Sequence, residues 1–479
     1  MEWERPSHIT YLDENQQIGF ALTAGIRLHG GVSRWSPKQS LRLYFRSEYG
    51  ESSLDYSLFP GSDVTHFKRL VLHAGGQDKP SESGNGNLLR NALVTQLTSE
   101  LDVAAAQMRP VVLYLNGQLW GVYNVRERID RFFFADHFGI EAADFVGAVL
   151  YEREPMEGSW ENWEQLAEYV EAHDLTDPAA YAYVTAQIDL ENFIDYHALQ
   201  IYIGNIDWPK NNHDRFRSLQ SGAKWHWIVW DTDASFALAP WADLSVDSVA
   251  RLFSPEDEKL YQESMLFRKL MENPAFVSAF VARMAELLAT TFSAEAVIAH
   301  IDALEAQYAP LMDYETLRWP PAGNWQASVA EMRLFAEKRP FLVREQLLAQ
   351  LGENEITAVL LQPTSDSAVP PVVILDFGAD SDETGDWIEL EVIQDGGVDM
   401  RGWRLTDNDM LVATDEGSLI FSDHAALADI PPGTHILVVA TQTDENDALF
   451  PSDDLELLDG LMVLYVGNDN LDTTLRPLV

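Results

Sequence analysis

The chain has 479 residues, 46% of them hydrophobic, which is enough for two or three domains with sizeable cores and too apolar for wholesale disorder. Its 32 basic residues stand against 76 acidic ones, a net charge of -44 at pH 7, so its field repels nucleic-acid phosphates and anionic membranes, and both are set aside as partners. Cysteine is absent, which removes disulfide frameworks, thiolate metal sites and cysteine nucleophiles.

No run reaches the twenty or so apolar residues of a membrane span; the nearest, 275–292, is broken by Arg283 and Glu286. Residues 1–6 carry Glu2, Glu4 and Arg5 and lack the apolar stretch of a secretory signal. Charge is unevenly spread. Residues 353–479 hold 27 acidic residues against three basic ones, Arg401, Arg404 and Arg476, with no lysine. That shift, with Pro363 and the pair Pro370-Pro371 beyond it, predicts a first domain over 1–352, a linker over 353–370 and a second domain over 371–479.

In chain order, alternation predicts strands over 20–28 and 40–45, and apolar spacing a helix over 88–101. Residues 111–125 read as a hairpin, because Asn116-Gly117 suits the left-handed dihedrals of a type I′ turn. Helical spacing covers 128–138, 160–172 and 190–203; residues 215–230 read as a hairpin turned by Gln220-Ser221-Gly222; 261–348 is helical again. The expected class is α+β with a helical C-terminal part. In the acidic tail, short apolar runs near 372–376, 387–393, 403–406, 418–421, 435–440 and 462–466 are separated by Gly, Pro, Asp and Asn, the spacing of a β-sandwich.

The chain contains no P-loop, no G-x-S-x-G and no H-E-x-x-H, so the common NTPase, hydrolase and zincin readings fall away. What remains is a polar cluster in apolar surroundings, Gly204 to Asn212, followed after a hairpin by Asp231-Thr232-Asp233. Asp207 and Asn212 lie five apart with Pro209 between them to stop helix continuation, and the hairpin's second strand returns Asp231 toward them. An aspartate that holds a hydroxyl, an asparagine on a divalent cation and a later aspartate on the same ion is the division of labour of phosphoryl transfer. Loop Asp and Asn residues also serve as Asx turns and caps, and Asp233 has the same double reading. Lys38, behind Gly30-Gly31, stands with Arg34, Arg42 and Arg46 in a basic stretch that is either a solvated face or an anion site. Glu127 follows a strand and is the expected partner of Lys38.

These residues resemble the CotH kinase family, the spore coat protein H group of atypical, protein-kinase-like enzymes. The matching pieces, in order, are residues 25–34 with Lys38-Gln39-Ser40, Leu115-Asn116-Gly117 with Trp120-Gly121-Val122-Tyr123 and Arg126-Glu127, Asn205-Ile206-Asp207-Trp208 with Asn211-Asn212, and Trp230-Asp231-Thr232-Asp233. The resemblance implies a kinase-like fold, ATP with Mg2+ or alternatively Mn2+, and a Ser or Thr hydroxyl of a secreted or surface protein as acceptor. It implies that Asp207 is the catalytic aspartate, that Asn212, Asp231 and Asp233 are metal ligands, and that Lys38 and Arg34 meet the nucleotide while Glu127 orients Lys38. It also implies an extracellular or cell-surface setting. The chain departs from ordinary kinases in having no G-x-G-x-x-G and no H-R-D, and no D-F-G within residues 1–352. Residues 372–376, 386–390 and 402–407 are similar to a lamin-tail domain, an immunoglobulin-like sandwich in which Trp387 and Trp403 would be core residues. The alternative is a non-catalytic cell-surface adhesion or scaffold module on a kinase-like core. Neither reading fixes the oligomeric state.

Overall fold

In the computed structural model the described residues are 3–147, 155–361 and, beyond these, separate strands and single positions between 372 and 465. The chain divides into two compact units, residues 1–361 and 362–479. Residues 353–361, expected in the linker, fall in the first unit, where Thr357–Leu361 forms a 3-10 turn and Leu360 is buried.

The first unit opens with β1 (Arg5–Leu12), β2 (Ile18–His29), β3 (Ser40–Tyr44), the short ladder β4 (Leu54–Asp55) and β5 (His66–Phe67), and β6 (Arg69–His73). After helix α1 (Arg90–Leu97) come β7 (Ala104–Ala105), β8 (Met108–Leu115) and β9 (Gln118–Glu127). Six of these strands make one antiparallel sheet in the order β1-β2-β3-β6-β9-β8. Asn116 and Gly117 both have left-handed φ, 50° and 76°, so the β8–β9 turn has the geometry its sequence predicts.

Side chains alternate across a sheet, and here the two faces differ sharply. Leu43, Leu70 and Val125 turn to one side and pack with Phe59 and Phe67 in an apolar core. The opposite side carries Arg27, Arg42, Val71 and Arg126, paired in one row across four strands, with His29 and His73 two residues further along.

Helix α2 (Arg131–Phe138) leads to β10 (Ala143–Gly147), which joins β11 (Asp214–Ser218) and β12 (His226–Val229) in a second sheet, closed by a parallel pairing of β12 with β7. Between β10 and β11 run α3 (Glu161–Ala172), α4 (Pro178–Gln187) and α5 (Leu190–Ile203). From Asn192 to Ile203 every residue of α5 is buried, and its charged member is satisfied, since Arg283 donates to both oxygens of Asp195.

The helical stretch expected over 261–348 is broken into α7 (Glu258–Glu263), α8 (Met265–Leu270), α9 (Pro274–Ala289), α10 (Ala294–Tyr308), α11 (Met312–Arg318) and α12 (Trp325–Leu351), preceded by α6 (Ser248–Phe253). Asn273, Ser293 and Asn324 restart three of them, each side chain accepting a hydrogen bond from the first turn. No single helix among the described residues is long and apolar enough to cross a membrane, and α9 buries Phe276, Phe280 and Met284 in the core.

In the second unit the described strands are β13 (Val372–Gly378), β14 (Trp387–Val392), β15 (Arg404–Thr406), β16 (Ser418–Ile420), β17 (His435–Val439) and β18 (Leu461–Tyr465). They form a four-stranded sheet, β13-β14-β17-β18, and a β15–β16 ladder. The loops that the sandwich expectation needs, Trp403, and the side chain of Trp387 lie outside the described residues.

Candidate functional site

Helix α5 ends at Gly204, whose left-handed φ of 61° turns the chain out of the helix. Arg339 of α12 seals this end by donating to the carbonyls of Ile201 and Tyr202 at 2.6 and 2.7 Å. The loop that follows is held from both sides. Asn205 Oδ1 accepts from the amide of Asp207 at 3.1 Å, and Arg251 donates to the carbonyls of Asn205, Ile206 and Trp208. Trp208 is buried, which leaves its half-buried neighbour Asp207 at the surface of the loop.

The loop closes at Asn212, which has φ of 55°, a conformation that asparagine tolerates through its short polar side chain. Its Nδ2 donates to the carbonyl of Asp231 at 3.3 Å. Asp231 follows β12 and is itself left-handed, φ 52°. Asp207, Asn212 and Asp231 are thereby brought to one place by a capped helix end and a returning hairpin.

A further element arrives that the sequence reading did not assign. After β6 the chain turns through Gly75 and Gly76, with φ of 110° and 57°. The amide of Gln77 then donates to Asp233 Oδ2 at 2.5 Å, and its side-chain Nε2 donates to Asp207 Oδ2 at 3.3 Å. A Cβ on Gly76 would strike the Asp233 carboxylate, so this approach requires glycine. Behind the turn, Asp78 accepts from Arg90 and from the amide of Asn87 at 2.8 Å, anchoring it to α1. The Gly-Gly dipeptide at a strand end was the one available signal, and nothing nearby in sequence says what it approaches.

The electrostatics set two aspartates apart. Burial, with the charges of Asp231, Asp78 and Asp207 added, pushes the Asp233 carboxyl well above its usual range, against the pull of the Gln77 amide. Burial also raises that of Asp231, opposed by Arg126 and reinforced by Asp207. A carboxyl whose pKa is raised on folding contributes stability at acid pH that is lost as pH climbs through the folded value. Asp233→Asn keeps the acceptor for Gln77 and removes the charge. It should therefore stabilise the metal-free protein at pH 7 by about 1–2 kcal/mol, with the advantage closing toward pH 4. Urea denaturation at both pH values measures this, and equal stability at pH 7 would count against the stated cause.

Lys38 is buried in a network of its own. Its Nζ donates to the carbonyl of Val122 and to Glu315 Oε1, both at 2.7 Å, and it is 1% exposed. Burial lowers its pKa to about 8 despite the attraction of Glu315. The expected pairing with Glu127 is overturned. Glu127 binds His137 Nε2 at 2.8 Å and the amide of Gln107 at 2.9 Å, because its place on β9 turns it to the face opposite Arg126. Glu315 Oε2 also accepts from the amide of Val122 at 2.7 Å, and Gly121, φ 102°, makes room for it. Arg34 is exposed on the short 3-10 turn Val32–Trp35, where its Nε meets the carbonyl of Gly31 at 3.4 Å.

Among the described residues no group of three His, Asp or Glu side chains is arranged to hold a metal ion by itself. The donors at hand are nonetheless hard oxygens, and Asp233 Oδ1 is buried without a hydrogen-bond partner, as is Asn211 Oδ1. This set fits magnesium, which commonly takes one or two protein carboxylates and completes its shell with water and phosphate.

No curated protein matches the chain. The family model described as "CotH kinase protein" matches residues 26–342, which contain strands β3, β6, β8 and β9 of the first sheet, the polar loop, the returning hairpin and most of the helical part. The chain belongs to the CotH kinase family.

Proposed function

We propose that the first unit is an ATP- and magnesium-dependent protein kinase acting on Ser or Thr hydroxyls of secreted or surface proteins, with the acidic second unit serving to tether or recruit. The observation that carries this reading is the convergence of Asp207 with Asn212 and Asp231 across a helix end and a hairpin. Asp207 accepts the proton of the acceptor hydroxyl, whose oxygen bonds to the γ-phosphorus while the bond to the β–γ bridging oxygen breaks and ADP leaves. Gln77 and the Asn205 Asx turn hold Asp207 in place for this. Asn212, Asp231 and Asp233 would hold magnesium or manganese, which supplies neutralisation of the phosphate charge when bound.

Calorimetry with ATP and magnesium tests the assignment. A saturable isotherm that requires the metal is expected for the wild type, and its loss in Asp231→Ala. The strong acidity and the attached second unit favour a second reading, a scaffold on a kinase-like core. Absence of binding heat at millimolar ATP would decide for the scaffold.

A further inference from the structure

Arg126 lies on β9 with its side chain on the basic side of the first sheet, in the row that also holds Arg27 and Arg42. It is 3% exposed. Its guanidinium lies over the ring of Trp230, 4.4 Å from the centroid, and Trp230 is the residue immediately before Asp231. The other deeply buried arginines have anionic or carbonyl acceptors: Arg215, although its Nε is also without a partner, donates to Glu263 at 3.3 Å. Arg90 has Asp78 and the carbonyls of Asn85 and Ser235, and Arg339 has the carbonyls of Ile201, Tyr202 and Val246. Arg126 differs. Its Nε has no hydrogen-bond partner, and among the described residues no carboxylate lies within ion-pair distance of it. Asp231 and Asp233 attract it only from further off.

A buried guanidinium left without an anion is expensive, whereas one stacked on an aromatic ring keeps its donor edge free for a bidentate oxyanion. The neighbouring imidazoles do not substitute for it. Burial, reinforced by the surrounding arginines, holds His29 and His73 neutral, and His29 Nδ1 already accepts from Arg42 Nε at 2.5 Å. Lys38, the cation expected from sequence, is consumed by Glu315 and the Val122 carbonyl.

We propose that Arg126, not Lys38, is the side chain that meets the phosphates of the bound nucleotide, with Trp230 as its platform and the Asp231–Asp233 end of the site as its target. This rests on the kinase reading above and specifies its phosphate subsite. Lys38 then holds the sheet to α11 and takes no part in binding.

Calorimetric titration of ATP with magnesium, and of inorganic tripolyphosphate, into the wild type, Arg126→Gln, Arg126→Lys and Lys38→Met tests this, with melting curves for each. Arg126→Gln should weaken both ligands tenfold or more, with Arg126→Lys intermediate and the melting temperature unchanged or raised, since an unpaired buried charge is removed. Lys38→Met should melt lower yet bind ATP with near wild-type affinity while folded. Wild-type affinity in Arg126→Gln, or a fall in its melting temperature that Arg126→Lys restores without any change in ATP affinity, overturns the proposal and leaves the kinase reading standing. If the wild type binds neither ligand, both fall together.

Discussion

Replacing Asp207 by alanine is expected to lower phosphate transfer by about 10²- to 10⁴-fold, while leaving the affinity for ATP and magnesium close to that of the wild type. The loop explains the separation. Asp207 is held by the Asn205 side chain and by Gln77, whereas Asn212 is tied to the backbone of Asp231 and Asp233 to the Gln77 amide. Removing the Asp207 carboxylate thus takes away the proton acceptor without dismantling its neighbours. It also removes a like charge that raises the pKa of both Asp231 and Asp233, so metal binding should shift to slightly lower pH. Single-turnover transfer of labelled phosphate, read beside calorimetry, is the measurement. Equal incorporation by wild type and variant would remove Asp207 from the chemistry.

Glu315→Ala is expected to destabilise the first unit by about 3–5 kcal/mol, a large share of the stability of an ordinary domain. The substitution strands the Lys38 ammonium in a buried place with one carbonyl for company and leaves the Val122 amide without its acceptor. The pair joins helix α11 to strands that come far earlier in the chain, so its loss also loosens the seat of α11 on β9. Lys38→Met combined with Glu315→Leu should recover much of the loss, since two apolar side chains of similar volume need no counter-charge. Gly121→Ala acts at the same joint, because its Cβ would sit 2.6 Å from Glu315 Oε2. Urea midpoints for the three variants decide the matter; a Glu315→Ala protein within about 1 kcal/mol of wild type would show that the pair is dispensable.

Local structure was readable wherever one short-range signal governed it. The Asn116-Gly117 turn, the strands beginning near Ile18 and at Ser40, the helix ending at Ile203 and the hairpin over β11 and β12 all follow from alternation, helical period or turn chemistry confined to neighbouring residues. The gathering of Asp207, Asn212 and Asp231 was readable for a similar reason: the only connection between them is a hairpin, which by geometry returns near its origin. What escaped depends on distant partners. Glu315 stands 277 residues from Lys38 in a short helix with no distinguishing motif, whereas Glu127 sat conveniently near in sequence. Position along β9 decides against Glu127, since Lys38 meets that strand at Val122 and Tyr123, well before Glu127. Arg126 was passed over for the same reason, being visible only once the register put it in a row with Arg42 and beside Trp230. The breaks in the long C-terminal helical stretch rest on caps at Asn273, Ser293 and Asn324, polar residues that a periodicity count averages away.

The seal that Arg339 places on the end of α5 bears on how the protein is made. The loop with Asp207 is synthesised well before α12, yet the carbonyls from which that loop departs find their guanidinium only in α12. A nascent chain still threaded in the ribosome therefore carries the acidic residues of its centre without the brace that sets them. The brace must come late, after the final helix has emerged, and fragments ending ahead of it should be prone to capture by chaperones.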